Sequence, residues 1–151
     1  MFKKILVPID GSEPSWYAFD HAVEIGKKFN SSLVIVHVIQ PFYNAGFLAI
    51  PVDSSLIAEQ MKDMQENAEM ILNKAVDKMG DYSANIEKLV DNGHPSERIL
   101  ALAKEKNCDA IVIGSRGLSG IAEFVLGSVS SNITQYSKVP VLIVKGEENK
   151  K

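Results

Sequence analysis

Four short runs of aliphatic and β-branched residues constrain this chain more than any other feature: Ile5–Ile9, Leu33–Ile39, Ala110–Ile113 and Val139–Val144. Each is nearly continuous. A strand with one wet face alternates apolar and polar residues, whereas a continuous run of this length needs cover on both faces, as in a parallel sheet between helices.

The segments between the runs carry helical spacing. Ser12-Glu13-Pro14 offers a cap residue and an early proline, and Trp16, Phe19, Ala22, Val23 and Gly26 then fall three and four apart. A long helix is expected from about Asp53 to Met79. Ile57, Met61, Met64, Ala68, Ile71, Leu72, Ala75 and Met79 mark its stripe, and Gly80 ends it. A weaker strand is expected around Asn85–Val90. A helix then opens at His94-Pro95-Ser96-Glu97 and turns Ile99, Leu100, Leu102 and Ala103 inward, and a last one covers Ser128–Tyr136. Strand and helix alternate throughout, the pattern of a single-domain, doubly wound α/β sheet. The 151 residues suit one domain, expected over 1–146, with 147–151 as a polar tail.

Composition narrows the function. With 46% hydrophobic and 23% charged residues the chain is globular, not disordered. A net charge of -3 leaves no basic footprint for nucleic acid. The single cysteine, Cys108, removes a disulfide-stapled scaffold. The apolar run Ile5–Ile9 is too short for a signal peptide, no small-residue cleavage site follows it, and no stretch reaches the roughly 18 apolar residues of a membrane helix. A cytoplasmic protein with no membrane partner is expected.

Open α/β sheets bind ligands outside the carboxyl ends of their strands. After Ala110–Ile113 comes Gly114-Ser115-Arg116-Gly117-Leu118-Ser119-Gly120, and a helix opens at Gly127-Ser128-Val129-Ser130. Glycines allow positive φ and let a ligand approach the backbone amides. The helix start offers free N–H groups, a positive dipole end and hydroxyls for an anion such as phosphate, and Arg116 adds a permanent cation. An ordinary turn with a capped helix is the plainer alternative, but the glycines, the arginine and the serines together exceed what a turn requires. Neither Gly-x4-Gly-Lys-[Ser/Thr] nor Gly-x-Gly-x-x-Gly occurs in the chain.

The spacing Gly114-x2-Gly117-x9-Gly127-Ser128 resembles the Gly-x2-Gly-x9-Gly-[Ser/Thr] motif of the ATP-binding branch of the universal stress proteins. The opening Ile5-Leu-Val-Pro-Ile-Asp-Gly-Ser-Glu-Pro-Ser, His37-Val38 and the closing Val139-Pro140-Val141-Leu142-Ile143-Val144 are similar to that family too, so the likeness runs from about Lys3 to Val144. The resemblance implies a Rossmann-like sheet of the adenine nucleotide alpha hydrolase type, five parallel strands in the order 3-2-1-4-5 with helices on both faces. It implies that Gly114, Arg116, Gly117, Gly127, Ser128 and Val129 surround ribose and phosphates, with Ser130 a further phosphate contact and Ile113 beside the nucleoside. Pro8, Ile9 and Asp10 would end the first strand at the nucleotide, and Val38 would pack near the adenine.

Other residues have competing readings. Asp10 either starts the turn and helps cap the helix, or meets the nucleoside or a magnesium or manganese ion carried by the phosphates. His21, His37 and His94 show no ligand spacing and read as structural. Cys108 reads as a half-buried small residue, the charges of the long helix as its wet face, and the methionines as core. Residues 41–52, with Phe42, Tyr43, Phe47, Leu48, Ala49, Ile50 and Val52, either fold over the nucleotide, contact a partner, or pack on their own domain. The third strand carries Glu87, Lys88 and Asp91, charges that blunt an edge, while Val139–Val144 carries none. The resemblance supplies a homodimer joined through that last strand.

Two functions fit these residues. One is a regulatory module whose ATP occupancy alters partner binding. The other is a slow ATP hydrolase or phosphoryl-transfer enzyme, for which Asp10 and Glu123 are candidate bases by proximity alone. Binding is the expected one, because the cradle holds one arginine, Arg116, but no P-loop lysine and no evident base poised for water. ATP-pyrophosphatase chemistry would need Ser-Gly-Gly-x-Asp-Ser where Asp10-Gly11-Ser12-Glu13 stands.

Overall fold

The computed structural model describes residues 1–41, 53–117 and 126–146. The elements are β1 (Lys4–Pro8), α1 (Glu13–Phe29), β2 (Ser32–Ile39), α2 (Ser54–Met79), β3 (Ile86–Asn92), α3 (Pro95–Glu105), β4 (Ala110–Gly114), α4 (Ser128–Tyr136) and β5 (Val141–Val144). The strands form one parallel, 5-stranded sheet in the order β3-β2-β1-β4-β5.

Register explains the continuous apolar runs. Ile5 pairs with Leu33, Leu6 with Val34 and Val7 with Ile35, and successive side chains point to opposite faces. Ile5, Val7, Leu33 and Ile35 therefore pack under Ala18, Phe19, Ala22 and Val23 of α1 and Leu72, Ala75 and Met79 of α2. Leu6, Val34, Val36 and Ile111 pack on the other side, under Ile99, Leu102 and Ala103 of α3 and Ile133 of α4. Burial of each large aliphatic side chain contributes about 1.5–3 kcal/mol. No helix among the described residues is long and apolar enough to cross a membrane.

Three local expectations need correction. The stripe of α2 is buried only at Ala68, Leu72, Ala75 and Met79; Met61, Met64 and Ile71 are half-buried, and Ile57 is 42% exposed. Helical spacing shows which face turns inward but not how far the sheet extends beneath it. At about 1.5 Å per residue, a helix of 26 residues outruns an 8-residue strand at about 3.3 Å per residue. On α1 and α3, Trp16 and Leu100 are half-buried, whereas Ser15, next to Trp16, and Ser96, one turn before Leu100, are buried. The last strand begins at Val141, not Val139. Pro140 has no N–H to donate, and its carbonyl receives the Ile111 amide at 2.9 Å just before the strand starts. The charges on β3 do more than face water: Glu87 pairs with Lys4 and Lys106, and Asp91 with Arg98.

Candidate functional site

β1, β2 and β4 end at a cavity of about 580 Å3, within the usual range of ligand pockets. Pro8, Ile9 and Asp10 border it from the end of β1, Val38 from β2, and Ile113 and Gly114 from β4. Arg116 and Gly117 form a second side, and Gly127, Ser128, Val129 and Ser130, at the start of α4, a third. The twelve residues expected around the nucleotide thus all border one cavity. His37, Gln40, Met64, Asn67, Pro95 and Ile99 also border it. Sequence spacing did not point to these, since they come from strand interior, helix flank and helix start and share no local motif. Residues 118–125, which include Glu123 and Gly120, and residues 42–52 and 147–151 lie outside the described residues.

The loop after β4 is pinned at both ends. The Ser115 amide donates to the Val144 carbonyl at 2.8 Å, and the Ser115 carbonyl accepts from the Gly127 amide at 2.8 Å and the Ser130 hydroxyl at 2.9 Å. Ser130 is 2% exposed, and its hydroxyl also lies 3.0 Å from the Gly127 carbonyl. That hydroxyl is committed to main-chain carbonyls, so what Ser130 offers a ligand is its N–H.

Close approach, not positive φ, explains the glycines. Gly127 has φ -60, and neither Gly114 nor Gly117 is among the glycines of positive φ. A Cβ on Gly114 would lie 2.6 Å from the Pro14 carbonyl oxygen, so this glycine lets the first turn of α1 pack on β4. One on Gly117 would lie 2.7 Å from Asp10 Oδ2, and one on Gly127 would lie 3.3 Å from the Arg116 Cα.

Asp10 holds the turn into α1, the first of its readings, and also borders the cavity. Its Oδ1 accepts from the Ser12 amide at 2.9 Å and the Ser12 hydroxyl at 2.5 Å, fixing the turn into α1. Its Oδ2 lies on the side of Gly117, at the cavity. Gly127 caps α4 without a side chain, and the first turn of α4 has no acidic residue. Among the described residues nothing accepts from the N–H groups of Ser128, Val129 and Ser130, which leaves them for an acceptor from elsewhere.

The histidines behave as expected of structural residues, with one addition. His21 Nδ1 lies 2.8 Å from the Tyr17 carbonyl on an exposed face, and His94 Nδ1 lies 3.1 Å from the Ser96 hydroxyl. His37 Nδ1 lies 2.9 Å from the Ile9 carbonyl, at the cavity edge. Cys108 is buried rather than half-buried, and burial pushes its thiol up to about 11, which leaves it protonated and inert. Among the described residues no group of three or more His, Cys, Asp or Glu could hold a metal ion.

Residues 1–145 match the model of the universal stress protein family. The Universal stress protein YxiE of Bacillus subtilis (strain 168) is 39% identical over 150 residues, spanning 96% of this chain and 100% of that one. Universal stress protein MJ0531 of Methanocaldococcus jannaschii is 31% identical over 147 residues, spanning 96% of this chain and 83% of its own. Among solved structures, the hypothetical protein MJ0577 superposes with a TM-score of 0.84 at 27% identity, covering 99% of each chain. A universal stress protein in complex with cAMP superposes with a TM-score of 0.69 at 30% identity, covering 97% of this chain and 98% of that one.

Proposed function

The chain belongs to the universal stress protein family, and we propose that it is a regulatory module of that family that binds ATP at the carboxyl edge of its sheet. The observation that carries this reading is the unfinished start of α4, set beside Arg116 on a mostly apolar cavity. The anionic tail meets the N–H groups of Ser128, Val129 and Ser130 and the Arg116 guanidinium, with Gly114, Gly117 and Gly127 on the same border. The base lies among Pro8, Ile9, Val38 and Ile113, with the Val38 main chain at its edge, and Asp10 Oδ2 meets the ribose. The relative solved with cAMP supports an adenine nucleotide. A magnesium or manganese ion enters with the phosphates, and among the described residues Asp10 is the one carboxylate of the cavity border, an arrangement suited to an ion that keeps several waters.

The test is to denature freshly purified protein and identify what is released by mass spectrometry. Retention through purification requires micromolar affinity or better, about 8 kcal/mol. Stoichiometric ATP is the expected result, and mostly ADP would favour the hydrolase. An empty protein that also fails to bind magnesium-ATP in titration would overturn the reading.

The same proposal includes a homodimer through β5. The strand has no charged residue and Leu142 is 39% exposed. Leu142→Lys should shift sedimentation toward the monomer, and an unchanged dimer, or a monomeric parent, would sink it.

A further inference from the structure

We propose that His37 is a positioning residue that holds the β1–β2 ladder open at its ligand end. Its ring occupies the Ile9 carbonyl, so the Val38 amide stays out of the ladder and faces the cavity. The consequence for the ligand rests on the nucleotide reading above, whereas the split ladder does not.

The argument starts from register. β1 and β2 pair as far as Pro8 and Val36, and the last bond runs from the Ile9 amide to the Val36 carbonyl at 2.8 Å. In a parallel ladder the same residue next accepts, so the Ile9 carbonyl should receive the Val38 amide. That pairing is missing, although β2 continues beside β3 through Ile39 and Asn92. Ile9 is 2% exposed, and a buried carbonyl needs a donor. His37 Nδ1 takes the place at 2.9 Å. A carbonyl only accepts, so Nδ1 carries the proton.

The neighbouring residues fix where Val38 is left. Alternate residues of a parallel strand bond to opposite neighbours. Val36 bonds toward β1, and the Ile39 carbonyl accepts the Gly93 amide at 3.0 Å on the β3 side. Val38 therefore directs its N–H and C=O to the side where β1 has ended, on the cavity it borders. One side chain thus replaces one main-chain donor and releases a donor–acceptor pair. That pair suits the N1 acceptor and N6 donor of adenine and opposes the N1 donor and O6 acceptor of guanine.

Amide exchange and ring nitrogen shifts measured by NMR test the split ladder without any nucleotide. In the parent protein Val38 should exchange about a hundredfold faster than Val36, whose amide lies in the ladder. In His37→Leu the Ile9 carbonyl loses its donor, so Val38 should close onto it and slow to within about tenfold of Val36. His37→Asn, whose amide nitrogen stands near the position of Nδ1, should keep the fast exchange. The parent ring should be the Nδ1–H tautomer, which remains measurable if His37→Leu fails to fold. A protected Val38 in the parent, an unchanged Val38 in His37→Leu, or an Nε2–H tautomer would each overturn the proposal. With nucleotide, His37→Leu should lose about ten- to a hundredfold in ATP affinity and most of its preference over GTP, and His37→Asn should regain both. Equal ATP affinity in all three proteins would overturn the ligand role. A parent that binds no nucleotide would instead overturn the proposed function, leaving exchange and tautomer to judge His37.

Discussion

Helices α1 and α4 both begin at the carboxyl edge of the sheet, and the chain finishes them in opposite ways. At α1, Ser12 caps the helix by accepting from the Ser15 amide, Asp10 holds Ser12 through two hydrogen bonds, and Glu13 adds a carboxylate to the first turn. At α4, the cap position is Gly127 and the first turn carries no acid. α3 lies between these cases: His94 makes no side-chain cap, but Pro95 removes one N–H and Glu97 brings a carboxylate. A helix start favours an anion only where the protein has not already supplied one. The fold offers several helix starts near one cavity, and local sequence decides which of them stays open.

The strongest way to break the contrast is to finish α4 as α1 is finished. Gly127→Asp would give α4 its own carboxylate at the cap and bring a Cβ to 3.3 Å from the Arg116 Cα. ATP affinity by calorimetry should fall about a hundredfold or more, because the new carboxylate both occupies the first-turn amides and repels phosphate. The melting temperature should stay within a few degrees, since a cap is gained and a tight contact introduced. A folded Gly127→Asp protein with undiminished affinity would remove α4 from the site.

A second change asks whether the open end must also be rigid. Ser130→Ala removes the hydroxyl that ties Ser115 to Gly127, in a side chain only 2% exposed. The Ser115 carbonyl keeps the Gly127 amide as a donor, so the loss in urea unfolding should be about 1 kcal/mol. Nucleotide affinity should fall less than in Gly127→Asp, through a looser loop rather than a blocked one. Unchanged stability would mean that the amide bond alone holds the loop.

What could be read from sequence follows the same division. The strands were legible because burial on both faces writes continuous aliphatic runs, and register then adds nothing that the pattern of Ile5–Ile9 and Leu33–Ile39 conflicts with. The loop after β4 was legible because its residues carry their own chemistry: Arg116 is a cation and Gly127 lacks a side chain wherever they sit. The reason for Gly114 and Gly117 was not legible, because it depends on Pro14 and Asp10, residues about a hundred positions away that the fold brings within 3 Å of where a Cβ would stand. The hydrogen bonds of His37 and Ser130 were hidden likewise, since each depends on a carbonyl supplied by another segment. The wet start of α2 was hidden because Ile57 keeps the helical spacing of the buried stripe although it is 42% exposed.

The smallest expected effect lies at the closed end. Ser12→Ala removes the cap of α1 and should cost about 1 kcal/mol of stability. ATP affinity should stay within about twofold, because Asp10 Oδ1 keeps the amide of residue 12 at 2.9 Å and Oδ2 keeps its place beside Gly117. If affinity fell in Ser12→Ala as far as in Gly127→Asp, the Ser12 hydroxyl would have to be orienting Asp10 for the ligand. Both helix starts would then belong to the site, and the division of labour between a closed α1 and an open α4 would give way to a shared one.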